Sequence, residues 1–287
     1  MKTTEKDRNM DLASLRNRID NIDDSIHDLL MQRAELASAI RAAKSAIEGE
    51  GEILSAYRPA READMLRRLK KRHRGNLPFA AVARIWREII ASLTQMQAPY
   101  GLYICGGANL LAFHDIGRFY YGASAHIHVH EDASAVLSAV AADPAGLGLL
   151  PYPGKEDPEP WWPELLKLRR NGLSVIASLP FFYRAGNPQP SILVISHAPY
   201  EPSGDDTTLL ALVAKTGITP KQISDMILNS APGSRILASI PDQENPDRTI
   251  HLAAMNGFWT KDMGKALDIE DVHRLGGYAN PIATGEE

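Results

Sequence analysis

Three basic residues near the N-terminus, Arg16, Arg33 and Lys44, are spaced along one segment of helical character. Apolar residues recur there every three or four positions, which predicts one packed helix face. The series is Leu12, Leu15, Ile19, Ile22, Ile26, Leu29, Leu36 and Ile40. Arg33 and Lys44 fall on that face, and no acidic residue of the stripe can neutralise them. Since a desolvated, unpaired cation is costly, the pair predicts an anionic ligand. The alternative is that both side chains extend past the edge of the face into solvent.

The rise of the helix limits what one copy of this segment can bind. At about 1.5 Å per residue, Arg33 and Lys44 lie about 16 Å apart, so a small ligand between them lies along the helix. Arg16 is about 25 Å from Arg33 by the same rise, too far to touch that ligand. If Arg16 also serves the site, it must come from a second, antiparallel copy. The spacing then predicts an antiparallel homodimer with two shared sites.

The surrounding pattern predicts several domains. Residues 1–99 read as an all-α domain of three helices, over 10–46, 60–73 and from Leu77-Pro78 to Gln97. After Pro99, short apolar runs alternate with helical segments, which predicts a layered α/β domain over 100–204. Residues 205–287 predict a small α+β domain with the order strand, helix, strand, strand, helix (261–267) and a terminal segment.

Composition excludes several classes of protein. Residues 1–97 carry 18 Lys/Arg and 14 Asp/Glu, and the rest of the 287-residue chain carries 13 and 21. This imbalance supports separate domains but is too mild for a nucleic-acid-binding protein. No segment has the length or apolarity of a membrane span or signal peptide. The single cysteine, Cys105, excludes an internal disulfide framework. We therefore expect a cytoplasmic protein.

The basic residues and their neighbours resemble a known family. The segment from Leu12 to Lys44 resembles the first helix of the all-helical chorismate mutases, with the arginines of LRNRID and LLMQRAELA and the lysine of IRAAK at matching spacing. Residues 57–62 (YRPARE) resemble the motif that opens the second helix of that family. Residues 84–97 are similar to its third helix. The resemblance covers about ninety residues.

The resemblance implies a reaction as well as a fold. Chorismate carries two carboxylates and rearranges within one molecule to prephenate, in phenylalanine and tyrosine biosynthesis. The reaction needs no nucleophile, proton transfer, metal or cofactor. Catalysis then depends on holding the compact conformer and on stabilising charge that develops on the ether oxygen.

The resemblance also implies a role for each matched residue. Arg33 and Arg16 of the partner subunit would bind carboxylates. Lys44 would bind a carboxylate and the ether oxygen, and Gln97 would donate to that oxygen from the other side. Two further residues would line the site, and the second would accept a hydrogen bond from the substrate hydroxyl. They are Arg61 and Glu62.

Each residue also has an ordinary structural explanation. Arg16 could pair with Asp20 four residues on, and Gln97 could be the frayed end of its helix. Arg61 and Glu62 could be first-turn helix residues. Their joint spacing with Arg33 and Lys44 favours the site.

One position departs from the family pattern. Many relatives carry a small hydroxyl residue four positions before the glutamine, where this chain has Leu93, with Ser92 adjacent. The departure puts one hydrogen bond to the substrate in question.

The remainder resembles a shortened prephenate dehydratase followed by an ACT-like regulatory domain. Residues 103–121 and 132–153 resemble dehydratase elements. The family's Thr-Arg-Phe would fall at 190–192, which read Pro-Ser-Ile, and its Glu-Asn-Ser is replaced around 152–154. The dehydratase-like part is also about half the usual length. We therefore interpret the dehydratase activity as lost.

The ACT-like part is eroded in the same way. The family's Glu-Ser-Arg-Pro falls at 238–241, which read Ala-Ser-Ile-Pro, whereas 275–278 (LGGY) still resemble the family's end. This pattern favours a structural or partner-binding role over phenylalanine sensing.

Two other features have chemical alternatives. His126, His128 and His130 alternate along a predicted strand and could suit zinc, but a solvent-facing strand explains them better. Trp161 and Trp162 could form a lid, but more often such residues pack back on their own domain.

Two other functions compete with the mutase. The same helical residues also resemble the isochorismate-pyruvate lyases. A non-catalytic regulator that senses an aromatic metabolite would instead act through the ACT-like half, and would not need the helical cations.

Overall fold

The computed structural model describes residues 11–48, 57–105, 109–154, 157, 159–183, 192–215, 217–260 and 269–284. For residues 44–48 it describes the backbone alone. Its N-terminal part consists of α1 (Leu12–Glu48), α2 (Pro59–Arg72) and α3 (Phe79–Gln97). Asp11 begins α1 by accepting a hydrogen bond from the Ser14 amide at 2.7 Å, and Pro59 opens α2 in its first turn. The three predicted helices are confirmed, with ends shifted by one or two residues.

The apolar face of α1 is exposed to solvent in the single chain. Its members range from 40% exposed at Leu15 to 66% exposed at Leu36. The end of α3 is one point of contact, where Arg41 donates to the Met96 carbonyl at 3.3 Å. The periodicity therefore predicts the helix correctly, but the surface that would cover its apolar face is not found in the described part of this chain.

The next segment forms strands and helices in alternation. The strands are β1 (Gly101–Cys105), β2 (His126–His130), β3 (Leu147–Pro151), β4 (Ser174–Leu179), β5 (Phe182–Tyr183) and β6 (Ile192–Ser196). The helices are α4 (Leu110–Tyr121), α5 (Ala133–Ala142) and α6 (Trp162–Leu168), followed by a 3-10 turn at Arg169–Asn171. β1 pairs in parallel with β2 and β3, and β6 lies antiparallel between β3 and β4. The predicted α/β alternation is confirmed.

The C-terminal segment adds β7 (Asp206–Lys215), α7 (Pro220–Ser230), β8 (Arg235–Pro241), β9 (Arg248–Asn256), β10 (Asp271–Ala279) and β11 (Ile282–Ala283). Thr219 caps α7 in a reciprocal capping box with Gln222. The helix expected over 261–267 lies outside the described residues.

One sheet joins the two C-terminal segments. Its strand order is β2-β1-β3-β6-β4-β10-β7-β9-β8, and the junction is the parallel pair of Gly276 with Val175. Gly276 has a φ of 115°, and a Cβ added there would lie 2.0 Å from the Val175 carbonyl oxygen. Only glycine allows this approach. The boundary at 204/205 stays a prediction, and the sheet itself is continuous across it.

The helical segment also shares a core with the α/β segment. Tyr57 and Leu66 pack in one buried cluster with Leu102, Tyr121 and Ile192. The hydroxyls of Tyr57 and Tyr121 lie 3.1 Å apart, and their rings meet edge to face. The α2–α3 pair is thus built onto the α/β segment rather than tethered beside it.

The histidines and tryptophans take their ordinary structural positions. His126 and His128 are exposed on β2, and the Tyr103 ring stacks on His128 at 5.2 Å. Trp161 and Trp162 are buried, and Trp161 Nε1 donates to the Pro151 carbonyl at 2.9 Å. Across the described ranges, neither a cluster of three potential metal ligands nor a helix able to span a membrane is found.

Candidate functional site

The three N-terminal helices line an open cavity of about 410 Å³. Its polar lining combines cations, one carboxylate, one hydroxyl and one amide: Arg33, Arg58, Arg61, Arg68, Glu62, Thr94 and Gln97. Its apolar lining consists of Leu36, Ala37, Ile40, Met65, Ile90 and Leu93. A cavity with apolar walls and few polar groups suits a small organic ligand, and the excess of arginine favours an anionic one.

The structure brings together four of the six residues assigned to the site from sequence. Arg33 on α1, Arg61 and Glu62 on α2 and Gln97 on α3 all line the cavity. Lys44 lies in α1, but its side chain is outside the described residues. Arg16 does not line the cavity of its own chain, in keeping with the distance along α1.

The cations of the cavity are close enough to perturb one another. Burial lowers the pKa of the Arg33 guanidinium, the charge of Arg61 lowers it further, and Glu62 acts in the opposite direction. The Arg68–Asp64 pair lies at 3.5 Å and is well exposed, so it contributes little. A ligand carrying negative charge would relieve the repulsion between Arg33 and Arg61.

Glu62 is held by a buried arginine that the sequence analysis did not assign. Arg87 on α3 is 4% exposed and pairs through Nη1 with Glu62 Oε2, while its Nη2 donates to the Tyr120 carbonyl. Burial alone would lower the pKa of Arg87, but Glu62 raises it above its ordinary value. Glu62 Oε2 is thus paired with Arg87.

Three residues of the site were missed from the sequence, although two of them had a signal. Arg87 falls on the buried face of α3 with Ala83, Ile90 and Ala91, which is the same anomaly that singled out Arg33. Thr94 also lines the cavity. It lies three positions before Gln97, and residues three or four positions apart share one face of a helix, so it could have been found from the spacing. A hydroxyl is thus present beside Leu93, while Ser92 is exposed. Arg58 had no such signal.

Comparison with known proteins agrees with this geometry. Residues 15–98 match the family model for chorismate mutase type II. This match includes every residue assigned to the site, and it confirms the resemblance for the helical segment.

The relatives are bifunctional proteins of greater length. The bifunctional chorismate mutase/prephenate dehydratase of Pseudomonas aeruginosa is 38% identical over 88 residues, covering 31% of this chain and 24% of that protein. The protein of the same name from Neisseria gonorrhoeae is 37% identical over 91 residues, covering 32% and 23%. The chain thus matches about a quarter of the length of these chorismate mutase relatives.

Two solved structures are similar at low identity. A protein described as GqqA, a novel type of quorum quenching acylases, is 18% identical with a TM-score of 0.48, covering 62% of this chain and 94% of that one. Prephenate dehydratase from Streptococcus mutans is 12% identical with a TM-score of 0.45, covering 63% and 99%.

Proposed function

We propose that the cavity between α1, α2 and α3 binds chorismate and catalyses its rearrangement to prephenate. The observation that carries the proposal is the convergence of Arg33, Arg61, Glu62 and Gln97, from three helices, on one cavity inside the segment that matches chorismate mutase type II. No separate observation favours the two alternatives, an isochorismate-pyruvate lyase and a non-catalytic regulator that senses an aromatic metabolite. The regulator gives no reason for arginines to converge on a half-apolar cavity.

The proposed mechanism is electrostatic and conformational. Arg33 binds one substrate carboxylate, and the apolar wall with Arg61 selects the compact conformer. Glu62 Oε1 accepts from the substrate hydroxyl. Lys44 and Gln97 then stabilise the charge that grows on the ether oxygen as its bond to carbon breaks. Because the reaction is unimolecular, these groups only position the substrate and stabilise charge, and no cofactor takes part.

A homodimer is part of the proposal. The exposed apolar face of α1 is a large unpartnered surface on a helix of 37 residues, and such surfaces mark association sites. An antiparallel second copy would cover it and bring Arg16 of the partner subunit to the cavity. A closed twofold dimer would then hold two shared sites.

We also propose that the C-terminal part does not dehydrate prephenate. Residues 184–191, where most of the Thr-Arg-Phe equivalent falls, lie outside the described residues. Tyr152 stands where the Glu-Asn-Ser begins, and its hydroxyl lies 2.9 Å from that of Tyr278. Tyr152 thus has a structural partner across the sheet. We propose that residues 205–287 form an ACT-like domain with a structural or partner-binding role.

Purified full-length protein is expected to convert chorismate to prephenate without forming phenylpyruvate. The reason is that the cavity supplies the rearrangement, whereas the dehydratase signature is absent. Loss of chorismate is followed by its absorbance, and the two products are separated by chromatography before and after acid treatment. Enzymatic phenylpyruvate would contradict the lost dehydratase, and a lack of chorismate turnover would contradict the mutase.

Gln97→Glu is expected to make the activity depend on acid. An amide donates a hydrogen bond at any pH, whereas a carboxyl group donates only when protonated. The variant should therefore lose about 10²-fold in kcat/KM near pH 7 and recover as the pH falls through the pKa of the new carboxyl. The measurement is a profile of kcat/KM between pH 4.5 and 8, with the wild-type protein as reference. A variant profile parallel to that of the wild type would refute the ether-oxygen role of Gln97.

A further inference from the structure

The cavity has one wall that depends on the C-terminal part of the chain. Arg58 directly precedes α2 with non-helical φ and ψ of −130° and 78°, which Pro59 enforces by disfavouring helical geometry before it. Its side chain lines the cavity together with Arg33 and Arg61. Arg58 thus enters the site from outside the helix, and its direction is not fixed by helical packing.

The carboxylate of Glu201 fixes the direction of the Arg58 side chain. Glu201 lies in the connection between β6 and β7, 143 residues along the chain, and its Oε1 pairs with Arg58 Nη1. The two side chains are 30% and 38% exposed, so the pair is partly shielded. Arg58 Nε is also buried, with no acceptor among the described residues. The guanidinium is therefore anchored on one side and has donors that Glu201 does not use.

We propose that Arg58 binds a carboxylate of the substrate and that Glu201, from the C-terminal part, is the residue that positions it. This inference rests on the proposed mutase function. Arginine has many rotamers, and Arg33 and Arg61 repel a third cation, so without an anion beside it the guanidinium would turn to solvent. Glu201 offsets the repulsion and leaves the remaining donors of the planar guanidinium for the ligand.

Arg67 makes a neighbouring contact with the same connection, but this contact does not reach the cavity. Arg67 on α2 donates to the carbonyls of Ser203 and Asp205 at 2.9 and 2.8 Å, and lies 3.8 Å from the Asp205 carboxylate. Arg67 does not line the cavity. Asp205 and Glu201 thus come from the same connection and both contact residues at α2, but only Glu201 reaches a residue of the site. Asp205→Asn is therefore a matched control for Glu201→Gln.

The experiment measures KM and kcat for chorismate with four full-length variants: Glu201→Gln, Asp205→Asn, Arg58→Gln and the double variant Arg58→Gln/Glu201→Gln. We expect Glu201→Gln to raise KM about fivefold with kcat within about twofold of wild type. Arg58→Gln should raise KM about tenfold or more, since the contact itself is lost. Asp205→Asn should leave KM unchanged. The double variant should match Arg58→Gln, because Glu201 acts only through Arg58.

The outcomes separate this inference from the proposed function. Wild-type protein that does not turn over chorismate contradicts the mutase, and this inference with it. An active wild type combined with an unchanged KM in Glu201→Gln contradicts the positioning role alone. If KM rises equally in Glu201→Gln and Asp205→Asn, and Tm falls equally in both, Glu201 has only a structural role. A fifth variant, Glu201→Asp, keeps the charge, and a KM closer to that of the wild type than in Glu201→Gln would support the role.

Discussion

Replacing Lys44 with alanine is expected to lower kcat/KM for chorismate by about 10³-fold, the largest loss for any single residue of this site. Lys44 combines two roles in the proposed mechanism, binding a carboxylate and stabilising the ether oxygen. The second role is specific to the transition state, so kcat should fall as well as affinity. Steady-state kinetics with the full-length protein give both parameters.

A matched control and an intermediate variant make the Lys44 result specific. Lys71 on α2 is an exposed cation that does not line the cavity, so Lys71→Ala should keep nearly the full rate. Lys44→Arg keeps the charge but replaces a compact ammonium with a planar fork, and should recover only part of the loss. A rate for Lys44→Ala close to that of Lys71→Ala would exclude the proposed role.

Periodicity and misplaced charge predicted much of the site. Because Arg33 interrupts an apolar face, its place at a ligand site could be anticipated from spacing alone, and it lines the cavity, partly buried. Arg87 interrupts the buried face of α3 in the same way, so the same reasoning would have found both the residue and its need for an anion. That anion is Glu62. A buried cation and its partner can be predicted from the sequence when both lie in helices whose buried faces are known.

The contacts that tie the two parts of the chain together could not be predicted in this way. Arg58 lies just outside α2, and Glu201 lies in a connection, so neither has a helical or strand period that fixes its direction. Their pairing exists only because the α/β segment packs against α2 through the Tyr57–Tyr121 contact and its neighbours. The continuous sheet could not be predicted from the sequence either, because the pairing of β10 with β4 depends on one glycine, Gly276. Long-range pairing of this kind follows from the tertiary fold.

These contacts offer a reason for the length of the chain. The α2–α3 pair buries Ala63, Leu66 and Ala83 in a core that it shares with the α/β segment, and Glu62 is held by Arg87, which in turn donates to Tyr120 of α4. Two cavity residues, Arg58 and Glu62, are therefore positioned through residues beyond 99. A C-terminal part without dehydratase chemistry would still be required to shape the mutase cavity.

A heterodimer of two inactive variants is expected to regain activity if each site is shared between chains. Arg16→Ala and Arg33→Ala should each lower kcat/KM on the order of 10²-fold, because each removes a charge-assisted carboxylate contact. A heterodimer of the two variants has one site with both arginines intact and one site with neither. Co-expressed chains with two different tags, purified over both, should therefore show about half of the wild-type rate per dimer.

The control for this experiment is a heterodimer of Arg33→Ala with Lys44→Ala. Arg33 and Lys44 are proposed to serve the same site from the same chain, so each of its two sites lacks one of them and the heterodimer should stay inactive. A loss of activity in Arg16→Ala alone, restoration in the Arg16/Arg33 pair and none in the Arg33/Lys44 pair together form the pattern expected of a site shared between chains. If Arg16 served its own chain's cavity, the first heterodimer would stay as inactive as the second. If Arg16 were simply paired with Asp20, Arg16→Ala alone would keep nearly the full rate. Light scattering on the same preparations checks that both are dimers, so a failure to restore activity cannot be attributed to a failure to assemble.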